Sequence, residues 1–140
     1  MKNADIKKML KNDVKWAVRA GHKIDMRSFG TEIDFSGDVE KYKPKSAKCG
    51  LCAVGSHLAR NETVALNGAE IYDFARVIRR SDSFTEGLVS GTDPLSSKED
   101  AKTEASWFDS GAQGKAFMEG FKVGREVLNW VTEQKKLGKL

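Results

Sequence analysis

Residues 110–136 read SGAQGKAFMEGFKVGREVLNWVTEQKK, and this stretch decides the fold. Its apolar side chains recur at three- and four-residue steps, which is the period of one helix face. The stripe consists of Phe117, Phe121, Leu128 and Val131, with Ala116, Gly120, Val123, Val127 and Trp130 beside it. Glycine costs a helix interior up to about 1 kcal/mol relative to alanine, so Gly120 and Gly124 indicate close approach by another backbone. The pattern predicts that this longest helix is the spine of the fold.

Working outward, helical spacing predicts four shorter helices. The first covers residues 3–20, with Asn3 as N-cap and Gly21 as the C-terminal stop, and the second covers residues 49–61. The third follows Asn67 and has an apolar face of Ile71, Phe74, Ala75, Val77 and Ile78. The fourth starts at Pro94 or Ser96–Ser97, with Ser97 and Asp100 at capping-box spacing, and ends at Trp107 and Phe108. Residues 81–94 are polar and contain glycine, which predicts a long surface connection.

Residues 22–48 lose the helical period. Ile33 and Phe35 alternate with Glu32 and Asp34, which predicts a short strand or extended arm after the first helix. The expected fold class is therefore mainly α, and the expected organisation is one helical domain over residues 1–140, with about five helices.

Composition is typical of a globular protein. Of the 140 residues, 39% are hydrophobic and 31% are charged, which favours a single domain with a core of its own. No apolar run approaches the ~20 residues of a membrane span. The chain holds two cysteines and begins with an amphipathic segment in place of a secretory signal, which indicates a cytoplasmic protein whose thiols stay reduced.

The net charge is +4, and its functional interpretation depends on where the basic residues cluster. The loop of residues 41–48 concentrates the candidate binding residues, which are Lys41, Tyr42, Lys43, Lys45 and Lys48. Lysines can neutralise phosphates and a tyrosine can stack on a base, so the loop suits a nucleic acid or a nucleotide. A run of lysines is equally compatible with a solvated surface.

The segment CGLCAVGSHLA, residues 49–59, holds both cysteines and one of the two histidines. Cys49 and Cys52 at a helix start resemble a thiol-redox dithiol, but the preceding segment is polar and contains Pro44, unlike the strand that such a site requires. Alternatively, His22, Cys49, Cys52 and His57 could bind structural zinc. On an ideal helix, His57 would lie some 140° around from Cys52, so buried, unmetallated thiols are favoured.

No complete catalytic signature is present. The sequence has no nucleophile elbow, no His-Glu-x-x-His and no EF-hand loop. An enzyme therefore has no specific support, and we predict no catalytic residues and no cofactor.

Two segments carry a resemblance to a known group. Ile24-Asp25-Met26-Arg27-Ser28-Phe29, followed by Cys49-Gly50 and Cys52-Ala53-Val54-Gly55, resembles a pattern of small uncharacterised phage and bacterial proteins. In that group, Phe-Asp-Met-x-x-aromatic precedes Cys-Gly-x-x-x-Cys-Ala-x-Gly at a helix start. Here Ile24 stands in place of the phenylalanine, and the cysteines are closer together. The resemblance implies a shared fold and a phage or mobile-element origin, but no established activity.

The favoured function is therefore a non-catalytic small binding protein, a phage or mobile-element accessory factor that engages a host protein. The main alternative is a nucleic-acid or nucleotide binder that uses the loop of residues 41–48. A zinc-stabilised domain and a thiol-redox protein are the lesser alternatives. No membrane partner is expected.

Overall fold

The structure, a computed structural model, describes residues 1–27, 50–61 and 69–140. In chain order these residues form α1 (Asn3–Arg19), β1 (Lys23–Ile24), β2 (Gly50–Leu51), α2 (Ala53–Arg60), α3 (Ala69–Ile78), α4 (Asp82–Thr92), α5 (Lys98–Ser106) and α6 (Gly111–Lys136). The predicted mainly α class is confirmed. Within these ranges, no helix combines the length and apolar character that crossing a bilayer requires.

Short-range capping sets most of the helix ends. Gly21 adopts φ 91°, a left-handed conformation that suits glycine, and ends α1 as predicted. Ser97 accepts a hydrogen bond from the Asp100 N–H at the start of α5, and Ser110 forms a reciprocal capping box with Gln113 at the start of α6. The predicted N-cap Asn3 is wrong by one residue: Lys2 occupies that position without a side-chain cap.

Residues 81–94 are not the surface connection that their composition predicts. Ser81 accepts a hydrogen bond from the Phe84 N–H and starts α4, which packs along α6. Gly87 and Gly91 of α4 face α6, and Gly120 and Gly124 of α6 face α4. A Cβ atom on any of these four glycines would overlap a backbone carbonyl oxygen of the other helix. The glycines that resemble loop punctuation therefore bring two backbones into contact.

The main core lies between α1, α2, α3, α4 and the C-terminal half of α6. Its fully buried side chains include Ile6, Leu10, Val14, Leu51, Val54, Leu58, Phe74, Ile78, Phe84, Leu88 and Val127. A smaller cluster of Ala101, Phe117 and Phe121 lies under α5. Val77 departs from the predicted apolar face of α3, because 50% of it is exposed.

The two short strands join distant parts of the chain. β1 and β2 are parallel, with Ile24 opposite Leu51, and the Asp25 N–H donates to the Leu51 carbonyl at 2.9 Å. A short strand after the first helix is thus observed at Lys23–Ile24, while the predicted alternation of Ile33 and Phe35 lies outside the described residues. The predicted helix start at Cys49 is wrong, because residues 50 and 51 are extended and α2 begins at Ala53.

Candidate functional site

Cys52 lies at the N-cap of α2, directly after β2. Its Sγ accepts a hydrogen bond from the Gly55 N–H at 3.2 Å. Burial raises the pKa of the Cys52 thiol to about 11, and the Asp25 charge adds to that rise. The backbone N–H groups act in the opposite direction, but burial dominates. Because the thiolate is the reactive form, this position makes Cys52 a weak nucleophile.

His57 belongs to a buried polar cluster between α1 and α2. Its Nδ1 lies 2.8 Å from Asp13 Oδ2, and Arg60 donates to Asp13 Oδ1 at 3.2 Å. An ionised carboxylate only accepts hydrogen bonds, so Nδ1 is the protonated nitrogen that faces it. The Phe74 ring packs edge-on to the imidazole, with 5.2 Å between centroids. The cluster ties α2 to α1 across 44 residues of sequence.

The structure describes three of the four residues of the zinc hypothesis. Cys52 caps α2, His57 faces Asp13, and the His22 ring lies 6.1 Å from that of Trp16. Among the residues that the structure covers, no group of three His, Cys, Asp or Glu side chains could hold a metal ion. Cys49 lies outside the described residues, so the prediction of unmetallated thiols and its alternative, zinc binding through His22, Cys49, Cys52 and His57, both stay untested.

The predicted basic binding loop also lies outside the described residues. Its members are Lys41, Tyr42, Lys43, Lys45 and Lys48. Their role stays a prediction, and the described residues offer a different candidate site.

That site is a groove of about 460 Å³ at the meeting of α4, α5 and α6. Its lining residues are Glu86, Val89 and Ser90 of α4, Glu104 of α5, Trp107 and Phe108 after α5, and Phe117 of α6. The Trp107 side chain is 73% exposed. A large aromatic side chain that lines a groove and is exposed to water offers apolar area for contact with another molecule.

Local structure fixes the aromatic wall of the groove. Trp107 is the C-cap of α5, and its backbone N–H donates to the Glu104 backbone carbonyl. The Phe108 ring lies 5.4 Å from the Phe117 ring, centroid to centroid. A Cβ atom on Gly114 would come within 2.5 Å of the Ala105 carbonyl oxygen, so glycine lets the first turn of α6 approach α5. The α5–α6 turn therefore holds its aromatic residues in defined places.

Two carboxylates give the groove its charge. Glu86 is half-buried, and burial raises its pKa; the nearby carboxylates of Asp82 and Glu104 raise it further. Every ion pair between described residues involves other carboxylates. The groove thus combines exposed aromatic surface with negative charge that no cation in the described part of the chain neutralises.

No pattern in the sequence predicts this groove. The sequence pattern places Trp107 and Phe108 at the end of a helix and Glu86 in the predicted surface connection. The available signal was the aromatic pair between Ser97 and Ser110, two helix caps. A large aromatic pair in a short inter-helix turn is unusual, because such turns are mostly polar.

Comparisons of this chain with known protein families, with curated proteins and with solved structures give no match. The resemblance to small phage and bacterial proteins therefore stays a prediction. The structure adds one fact about it: parts of the two segments that carry it lie side by side, since Ile24 pairs with Leu51.

Proposed function

We propose that the protein is a non-catalytic binding protein that engages a protein partner through the groove between α4, α5 and α6. The observation that carries the proposal is that Trp107, which lines the groove, is 73% exposed. Buried tryptophans are enriched among the residues that dominate binding energy at protein interfaces. Phe108 and Val89 extend the apolar surface, while the two glutamates supply polar contacts at its edge.

The chemistry of the other candidate groups supports a non-catalytic role. Cys52 is buried and its pKa is raised to about 11, which disfavours thiol catalysis at neutral pH. The Nδ1 of His57 is held by a buried carboxylate that also binds Arg60. Cys52 and His57 therefore stabilise the fold, whereas Trp107 in the groove remains exposed and available to contact a partner.

The proposal extends to setting and origin. A phage or mobile-element accessory factor that acts on a host protein in the cytoplasm is supported by the resemblance of residues 24–29, 49–50 and 52–55. The free thiol of Cys52 supports a reducing compartment.

Retention of a partner from host lysate by the immobilised protein tests the groove. Trp107→Ser should weaken retention by roughly 30-fold, since loss of an anchor of this kind costs about 2 kcal/mol or more. The matched control is Leu137→Ser, another exposed apolar residue (56% exposed) at the opposite end of α6, about 30 Å along the helix from Phe117. Equal retention by both variants, or retention of no partner by the wild type, would contradict the proposal.

A second candidate function, binding of nucleic acid or nucleotide, has one observation of its own. On α1, Lys7, Lys11, Lys15 and Arg19 follow one another at four-residue steps, and Lys11 and Lys15 lie over the Trp130 ring at 5.6 and 5.8 Å. Residues at this spacing are neighbours on a helix surface. The cationic row could add to the lysines of residues 41–48.

Binding of a labelled single-stranded oligonucleotide at low and moderate salt tests this candidate. Phosphate contacts predict a steep loss of affinity as salt rises. Changing Lys41, Lys43, Lys45 and Lys48 to serine should then abolish binding and leave the melting temperature nearly unchanged. Salt-independent affinity, or full affinity of the quadruple variant, would contradict it.

A further inference from the structure

We propose that the groove takes an arginine side chain of the partner, with its guanidinium against Trp107 and between Glu86 and Glu104. This inference rests on the proposed function and specifies the chemistry of the group that enters the groove. Three observations support it: the exposed aromatic face, the charges on the lining side chains, and an equivalent arrangement within the protein itself.

The aromatic face suits a planar cation. An exposed tryptophan attracts a cation through its ring quadrupole, and tryptophan is the strongest of the aromatic residues in this respect. The guanidinium group is flat and weakly hydrated, so it can stack on a ring while its N–H groups reach carboxylates on either side. Lysine offers a compact, strongly hydrated charge that cannot stack flat on a ring or donate to a carboxylate through a planar fork.

The charges of the groove favour a cation and disfavour an anion. Glu86 is affected by burial and by two carboxylates, Asp82 on its own helix and Glu104 on α5, and all three influences raise its pKa. The contribution of α6 to the wall is the uncharged Phe117. A guanidinium between the two glutamates would relieve this repulsion.

The protein already uses the same combination elsewhere. The Arg80 guanidinium lies 3.7 Å from the centroid of the Phe84 ring and 3.0 Å from Glu119 Oε1. An aromatic ring and a glutamate therefore hold an arginine within this fold. The groove presents the same two kinds of group without a cation from the described residues.

Binding should be coupled to the proton of Glu86. The ionised form of Glu86 attracts the guanidinium, so binding favours release of that proton. Affinity should therefore rise as pH increases through the raised pKa of Glu86 and level off above it. Among the described residues, Asp82 and Glu104 are the charged groups whose carboxylates raise the pKa of Glu86.

The test uses the isotope-labelled 140-residue protein and a defined probe, N-acetyl-arginine-N-methylamide, monitored by NMR. Trp107→Phe identifies the Trp107 indole N–H signal, which should shift on titration. The citrulline analogue is nearly isosteric but uncharged, and it should bind roughly twofold to fivefold more weakly, since an exposed cation–π contact contributes about 0.5–1 kcal/mol. Equal affinity for both probes, or no shift of the Trp107 signal, would overturn the inference.

Charge-neutralising variants locate the effect. Glu104→Gln and Glu86→Gln should each weaken arginine-probe binding roughly twofold to threefold, as expected for partly exposed charge pairs, and Glu86→Gln should flatten the pH dependence. The matched control is Glu99→Gln, on α5 but outside the groove with a side chain that is 83% exposed. Equal effects of all three variants would overturn the inference.

This experiment separates the inference from the proposed function. Partner retention that depends on Trp107, combined with a probe response that ignores Glu86 and Glu104, overturns the arginine assignment alone. Partner retention that is unaffected by Trp107→Ser contradicts the proposed function itself, whatever the probe does.

Discussion

Two clusters of ionisable side chains lie where helices meet, and they differ in whether the fold neutralises them. Between α1 and α2, both carboxylate oxygens of Asp13 are engaged, by His57 at 2.8 Å and by Arg60 at 3.2 Å. In the groove between α4, α5 and α6, Glu86 and Glu104 act on each other, and no cation of the described residues pairs with either.

Solvent access accounts for the difference. Asp13 is 3% exposed, and an ionised carboxylate removed from water needs partners. Glu86 and Glu104 remain in contact with water, which weakens their mutual repulsion. The comparison indicates that substitutions in the buried cluster should change stability strongly, whereas substitutions in the groove should change binding and leave stability nearly constant.

The largest expected effect is at Asp13. Asp13→Ala should lower the free energy of unfolding by about 2–4 kcal/mol, because it leaves the Nδ1 of the buried His57 without its partner and also removes the carboxylate that pairs with Arg60, whose side chain is 44% exposed. Urea denaturation measures the change. Asp5→Ala, an exposed acid of the same helix, should cost less than about 1 kcal/mol. Equal effects of the two variants would show that the buried cluster contributes nothing specific.

The next effect concerns the contact that sets the distance between the groove walls. Gly120→Ala should lower the free energy of unfolding by about 1–3 kcal/mol, because its Cβ would overlap the Phe84 carbonyl oxygen of α4. The control is Gly111→Ala in the first turn of α6, where a Cβ meets nothing within 4 Å. This variant should be neutral or more stable by up to about 1 kcal/mol. A rise in melting temperature for both variants would contradict the contact.

These glycines also show where sequence reasoning succeeds. α1 and α6 were predicted because a long apolar period and nearby caps are local signals. The close approach at Gly120 and Gly124 was predicted as well, because a glycine in a long helix needs a reason. The partner helix was not predicted: residues 82–92 are largely polar, and Gly87 and Gly91 resemble loop residues until α6 is placed against them.

The groove was not predicted from the sequence because its residues come from several segments of the chain. The Cys52–His57 segment attracts attention because its residues are close in sequence, yet His57 binds Asp13, 44 positions away. The groove draws on three helices and one turn, and no single segment contains enough of it to form a motif. Complementarity between distant segments leaves no local trace in the sequence.

A third carboxylate tests the comparison outside both clusters. Glu119 accepts a hydrogen bond from Asn3 at 3.1 Å and pairs with Arg80 at 3.0 Å, and these hydrogen bonds lower its pKa. Glu119→Gln should lower the free energy of unfolding by about 0.2–1 kcal/mol at neutral pH. Because the folded-state pKa is depressed, this contribution is present above the unfolded-state pKa and is lost as pH falls through the folded-state value.

Urea denaturation at neutral and at acid pH measures that difference between Glu119→Gln and the wild type. The gap should close in acid, where both side chains are neutral. A gap of the same size at both pH values would assign the effect of the substitution to packing instead of charge.

The smallest effect is expected at Glu86, and its sign is opposite. Burial, Asp82 and Glu104 raise the pKa of Glu86, so the folded protein holds this proton more tightly than the unfolded chain does. The stabilisation that comes with protonation is complete below the unfolded-state value of about 4.3, and it is lost as pH rises through the folded-state pKa. At neutral pH the ionised Glu86 therefore opposes folding slightly.

Glu86→Gln removes that charge at every pH. Its free energy of unfolding at neutral pH should equal that of the wild type or exceed it by less than about 0.5 kcal/mol, the range for most surface substitutions. The difference should shrink toward zero as pH falls below about 4.3, where wild-type Glu86 is itself neutral. Urea denaturation over this pH range measures both quantities. Destabilisation at neutral pH would mean that a cation of the chain already neutralises Glu86, and the groove would then resemble the buried cluster instead of contrasting with it.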